Sequence, residues 1–196
     1  MKIMQGNVGR IAERIVANEL ESRGFRVSDL NSDGPAANAD LLAVSSDATL
    51  QVQVKGSANA GGEHWWVGYG YCTREIIDRI NHATMFNRKS SFYKATHVVL
   101  VAVRSPREYS SIVLPIVKAE FAAQLNLDRD YRTPTHSGET KKPNKVWIQL
   151  EPSPKAHAHR IELCRKERRI LAEYRDDPGW DCLVKWRPND VQCAQK

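Results

Sequence analysis

Apolar positions change their period twice within the first sixty residues. Val8, Ile11, Ala12, Ile15, Val16 and Leu20 recur at three- and four-residue spacing, which predicts an amphipathic helix over residues 7–23. Gly24 is its stop signal, because glycine adopts the left-handed conformation that ends helices. Phe25–Val27 predicts a short strand leading into the polar turn Asn31-Ser-Asp-Gly-Pro35. From Asp40 onward the period falls to two. Residues 40–44 and 49–55 predict the two strands of a β-hairpin, joined by the polar turn Ser45–Ala48. Further strands are predicted at His64–Tyr71, His97–Val103, Ser111–Pro115 and Val146–Leu150, and helices at Thr73–Phe86 and Val117–Leu125. Pro152-Ser-Pro154 marks a boundary, and a helix from Ala156 to Arg175 follows. The pattern predicts an α/β protein with two units, 1–151 and a C-terminal helical extension over 152–196. Its central mixed sheet should have about 4–5 strands flanked by helices.

The hairpin concentrates the candidate chemistry. If Val44 pairs with Thr49, Asp40 falls opposite Gln53, and opposed residues have Cβ atoms only about 5 Å apart. Gln51, Gln53 and Lys55 then share one face, while Val52 and Val54 point the other way. An acid, an amide and an ammonium converge, which suits a hard cation and a phosphate. A solvated edge hairpin would show the same alternation, so the trio takes weight from the helix before it. At about 100° per residue, Glu19 lies in the middle of that helix's apolar side and Glu13 on its rim. Helix geometry does not choose between them as the site's partner.

Composition narrows the class. The 196 residues are 41% hydrophobic, enough for a substantial core, and no apolar run approaches the roughly 20 residues of a membrane helix. Without a signal-peptide core after Met1, the expectation is a cytoplasmic protein with no membrane partner. Cys72, Cys164, Cys182 and Cys193 are scattered, so reduced thiols are expected ahead of a zinc site from His157, His159, Cys164 and Cys182. The formal net charge of +6 divides into −1 over residues 1–60, +5 over 61–150 and +2 over 151–196. A mildly acidic motif segment beside basic flanks suits a metal site next to a phosphate-binding surface. Arg88, Lys89, Lys141, Lys142 and Lys145 are candidate DNA-backbone contacts. One of Trp65 and Trp66 should pack inward, the other being open to a ligand. The Arg165-Lys-Glu-Arg-Arg169 run reads as a solvated helix face ahead of a DNA contact. The Trp180–Trp186 tail must dock on this chain or on a second copy, which leaves a homodimer as a candidate assembly.

The string Gly9-x3-Glu13-x6-Leu20-x3-Gly24, then Asp40, then Gln53-x-Lys55, resembles the PD-(D/E)XK, or restriction endonuclease-like, nuclease superfamily. The resemblance covers roughly the first 120 residues, with its motifs between positions 9 and 56. Ala39 stands where the namesake proline would be, and Gln53 where an acid usually sits. The Asp…Gln-x-Lys variant is similar to type IV restriction enzymes. The layout with Ser32 and Gly34 also resembles Holliday-junction resolvases, which normally keep the acid. The resemblance implies a core ordered helix, hairpin, third strand, helix, strand, and a metal-dependent DNA endonuclease. It also implies Mg²⁺, with Mn²⁺ as a substitute, held by Asp40, the Gln53 amide oxygen, the Val54 backbone carbonyl and Glu13. Glu13, Asp40, Gln53 and Lys55 form the catalytic set it implies, with Lys55 orienting water and offsetting phosphate charge. The other reading is a non-catalytic nucleic-acid or protein-binding module that kept the fold.

Overall fold

The amphipathic stripe of residues 8–20 becomes helix α1 (Val8–Ser22), which buries Val8, Ala12, Ile15, Val16 and Leu20. Gly24 follows with φ +86°, where a side chain would be strained. The computed structural model describes residues 7–31, 39–58, 63–68, 95–105, 107–116, 145–151 and 158–186. Strands β1 (Arg26–Asp29), β2 (Leu41–Val44), β3 (Thr49–Ser57), β5 (His97–Ser105) and β6 (Glu108–Pro115) form one sheet in the order β1-β2-β3-β5-β6. β5 runs parallel to β3 and the other pairings are antiparallel, so the sheet is mixed as expected. The expected helices at 73–86 and 117–125 lie outside the described residues.

One expected strand sits elsewhere. The His64 strand, β4 (His64–Gly68), does not join the central sheet as its third member. It pairs antiparallel with β7 (Lys145–Gln149) in a separate two-stranded sheet. Helix α2 (Ala158–Leu171) docks on this ribbon, where buried Glu167 accepts the Gln149 N–H at 3.1 Å. A 3₁₀ turn (Ala172–Tyr174) leads into helix α3 (Asp176–Lys185), which the sequence reading treats only as a tail.

Alternation decides which side of the sheet each layer covers. Val52, Val54, Val99, Val101, Val103 and Val113 share a core with α1 and with Trp180, Leu183 and Trp186 of the C-terminal segment. The tail therefore docks on its own chain. Ser110 lies opposite Ala102, one position out of step with Val101 and Ser111, so it faces away from that core. Ser110 Oγ donates to buried Glu63 at the start of β4, which places the β4–β7 ribbon on that far side. Trp65 is buried and its Nε1 donates to Val101 O at 3.0 Å, while the Trp66 side chain lies outside the described set.

The C-terminal segment also closes the sheet's edge. Arg175 makes a bridge to Ile112 of β6, and Asp176 Oδ1 accepts the Ser111 N–H at 2.7 Å. Trp180 Nε1 donates to Ser111 Oγ at 3.1 Å. Arg175 reaches across to Glu63 at 2.5 Å. Unpaired backbone groups on an edge strand invite pairing with other chains, and these contacts occupy the edge at Ser111 and Ile112. Among the described residues no helix is long and apolar enough to cross a membrane.

Candidate active site

The hairpin has the register that its four-residue turn predicts. Val44 pairs with Thr49 and Leu41 with Val52, and Asp40, one residue beyond the paired strand, meets the Gln53 side chain. Asp40 N–H donates to Val52 O at 2.8 Å, so Leu41 and Asp40 both lie against Val52 and the regular ladder ends at the acid. Val52 and Val54 are in the α1 core, which turns Gln53 and Lys55 toward the opposite side of the sheet. Gln53 is 4% exposed.

Three donors hold the Asp40 carboxylate. Asn31 Nδ2 donates to Oδ1 at 3.0 Å, Val54 N–H donates to Oδ2 at 2.6 Å, and Gln53 Nε2 donates to the same Oδ2. Asn31 is itself fixed by its N–H donating to Asp29 Oδ1 at 2.7 Å. β1 pairs with β2 so that Asp29 lies opposite Leu41, which carries Asn31 back beside Asp40. In the sequence Asn31 reads only as the start of a polar turn, and Asp29 carries no signal of its own. The signal that would have found them is the β1–β2 register, which places the start of that turn beside the acid.

α1 brings Glu13 to the same place. Gly56 permits this approach, since a Cβ there would lie 2.8 Å from Val8 O and 2.9 Å from the Ala12 Cβ. Burial raises the Glu13 pKa above the ordinary carboxylate value, and the negative charges of Asp40 and Asp29 add to the rise. Lys55 and Arg10 oppose it. Burial lowers the Lys55 pKa below the ordinary lysine value, while Asp40 and Glu13 hold it up. Glu13 and Lys55 therefore act on each other, and Asp40 acts on both. An open cleft of about 330 Å³ beside Glu13 is lined by α1 residues together with Val27, Asp29 and Leu41. Glu19 is occupied elsewhere, accepting from Arg23 and from the Tyr109 hydroxyl. Glu13, on the rim of the helix stripe, is the glutamate that lies near Asp40 and Lys55.

The oxygen set fits a hard divalent cation in chemical type. No group of three or more His, Cys, Asp or Glu side chains among the described residues has metal-site geometry. An ion at Asp40 would accordingly depend on neutral oxygens as well. Val54 N–H and C=O point the same way from the strand, toward Asp40. Gln53 here offers Asp40 its amide nitrogen, where the sequence reading expects the carbonyl oxygen to face a metal. A half-turn of the amide exchanges the two, since its ends are nearly alike in shape. Of the expected DNA contacts, Arg88, Lys89, Lys141 and Lys142 lie outside the described residues. Lys145 opens β7 with its side chain outside the description. Cys164 is buried and Cys182 exposed, while His157 and the His159 side chain lie outside the description.

A helix, an antiparallel hairpin and a parallel strand, with Glu13, Asp40, Gln53 and Lys55 near one another, match part of the core that the motifs imply, while the expected third strand pairs with β7 instead. The α/β architecture, with its five-stranded mixed sheet, is consistent with a restriction endonuclease-like fold. Among solved structures the chain is similar to a bacterial homing endonuclease, I-Ssp6803I, at 15% identity and TM-score 0.49, over 98% of this chain and 98% of that one. It is similar to Hjc, a Holliday junction resolvase of Archaeoglobus fulgidus, at 15% identity and TM-score 0.36, over 79% and 88% of the two chains. It is also similar to MepB, at 10% identity and TM-score 0.31, over 83% and 94%. No protein-family model matches the sequence, and no curated protein matches it.

Proposed function

We propose that this restriction endonuclease-like chain is a metal-dependent endonuclease that hydrolyses phosphodiester bonds in DNA. The observation that carries the reading is the coupling of Glu13, Asp40 and Lys55 across α1 and the hairpin, with Gln53 bonded to Asp40. Mg²⁺, or Mn²⁺ in its place, would supply Lewis acidity at the phosphate and acidify water. Asp40, the Gln53 amide, the Val54 carbonyl and Glu13 are the groups that would hold it. Asp40 is the anchor, fixed by its three donors. Lys55 supplies positive charge to the phosphate oxygens and orients the attacking water. Glu13, with its raised pKa, is a better proton acceptor than an exposed glutamate. Arg88, Lys89, Lys141, Lys142 and Lys145 are proposed to hold the DNA backbone. Restriction, repair and branched-DNA resolution are the settings that suit this chemistry.

A second reading is a binding module without catalysis. It is favoured by one observation, the bond from Gln53 Nε2 to Asp40, which satisfies the acid internally. Incubation with supercoiled, linear, methylated and branched DNA, with Mg²⁺, Mn²⁺ or EDTA, separates the two. The nuclease reading expects cleavage with either cation, none in EDTA, and none from Lys55→Ala. DNA binding with no cleavage of any substrate would favour the binding module.

A further inference from the structure

The fold sorts the Arg165–Arg169 run of α2 by charge. Glu167 points inward to β7 and is buried. Arg168 pairs with Glu151 at 3.1 Å. Arg165, Lys166 and Arg169 stay exposed, and no ion pair holds them among the described residues. With Glu162 and Leu163 they line an open cleft of about 530 Å³. At 100° and 1.5 Å per residue, the three cations span about 100° of the helix and about 6 Å of its length. In sequence the run looks like charge distributed around a solvated helix. In the fold its acid is hidden, one arginine is paired, and three cations share one concave surface.

The surface faces outward, opposite the buried Cys164, Glu167 and Leu171 on the inner side of the helix. α2 stacks on the β4–β7 ribbon, and the ribbon covers the sheet face opposite α1 and α3. We infer that the Arg165–Lys166–Arg169 face of α2 holds the phosphodiester backbone of duplex DNA, outside the site of cleavage. The inference rests on the nuclease reading for the presence of DNA near Lys55. Its own ground is charge complementarity in a chain of formal charge +6, where unpaired cations gain affinity by releasing counterions from phosphates.

Fluorescence anisotropy with a short labelled duplex, in EDTA and over a series of salt concentrations, tests this. Replacing Arg165, Lys166 and Arg169 together by Gln should weaken low-salt binding by roughly tenfold or more. It should also lower the slope of log affinity against log salt by about 3, at about 0.9 per phosphate contact. Arg168→Gln should keep the wild-type slope. If the triple variant fails to fold by circular dichroism, Lys166→Gln alone should lower the slope by about 1. A wild-type slope in the folded triple variant, or in Lys166→Gln if the triple does not fold, overturns the inference, as does a wild-type protein that does not bind duplex DNA. Cleavage by wild type, assayed in parallel with Mg²⁺ and Mn²⁺, separates the two ideas. Binding that depends on α2 without cleavage keeps this inference and removes the nuclease. Cleavage with binding indifferent to α2 does the reverse.

Discussion

Lys55 carries its charge in a place that resists it, and the neighbouring Asp40 and Glu13 are what sustain it. Asp40→Ala and Lys55→Ala should therefore each abolish metal-dependent cleavage while leaving the circular dichroism spectrum intact. Unchanged activity in both variants would remove the proposed site. Gln53 offers a sharper test. Gln53→Glu exchanges a hydrogen bond to Asp40 for a second carboxylate against it. It should melt at lower temperature than wild type in EDTA, and Mg²⁺ should raise its melting temperature more, because repulsion is relieved only by a cation. An equal Mg²⁺ shift in both proteins would mean that Gln53 does not face the ion. His97 supplies a pH dependence of another kind. Burial pushes its pKa down to about 4, and its ring packs edge-on against Trp186 at 5.3 Å. The unfolded chain binds a proton there near pH 6.5, so His97's contribution is fully present above that pH. It is lost as pH falls toward 4, a penalty on the order of 3 kcal/mol. His97→Phe should flatten the fall in melting temperature between pH 6.5 and 4, and an unchanged fall would assign the acid sensitivity to other groups.

Between elements, the decisive contact is that of α1 on β3. Gly56 follows Lys55 directly, and its missing side chain lets α1 lie against the strand. Gly56→Ala would drive a methyl group into the Val8 carbonyl and the Ala12 side chain. The expected cost is about 1–3 kcal/mol, seen as a lower urea midpoint. Cleavage should fall as well, because displacing α1 displaces Glu13. A variant as stable and as active as wild type would show that the helix does not fix the site. The hairpin register was legible beforehand because a four-residue turn and a period of two leave one pairing that keeps Leu41, Val52 and Val54 inside. The partner of β4 was not legible. Its apolar run names a strand, but nothing local distinguishes pairing with the central sheet from pairing with β7, which lies far along the chain.

For the whole molecule, the C-terminal segment is part of the main core. Trp180 is buried with Leu183 and Trp186 beside the sheet valines, and its ring nitrogen satisfies Ser111 Oγ. Arg23 lies over the Trp180 ring at 5.2 Å, tying α1 to the same place. Trp180→Ala should cost about 3–5 kcal/mol and lower the melting temperature markedly. A small change would mean that the extension is dispensable to the fold.

The sequence by itself determined the α1 stripe, the hairpin and its register, the buried β5 run, and the face shared by Gln53 and Lys55. These follow from spacing within one element or across one turn, where covalent geometry leaves little choice. Only the tertiary structure decided that Glu19 is taken up by Arg23 and Tyr109 while Glu13 lies near Asp40, that Asn31 braces Asp40, and that Trp180 closes the β6 edge. It alone sorted the basic run of α2 into buried, paired and open charges. Each of these depends on which surface another element presents after packing. A side chain's partner across the molecule is set by the balance of burial and charge, and local periodicity does not carry that information.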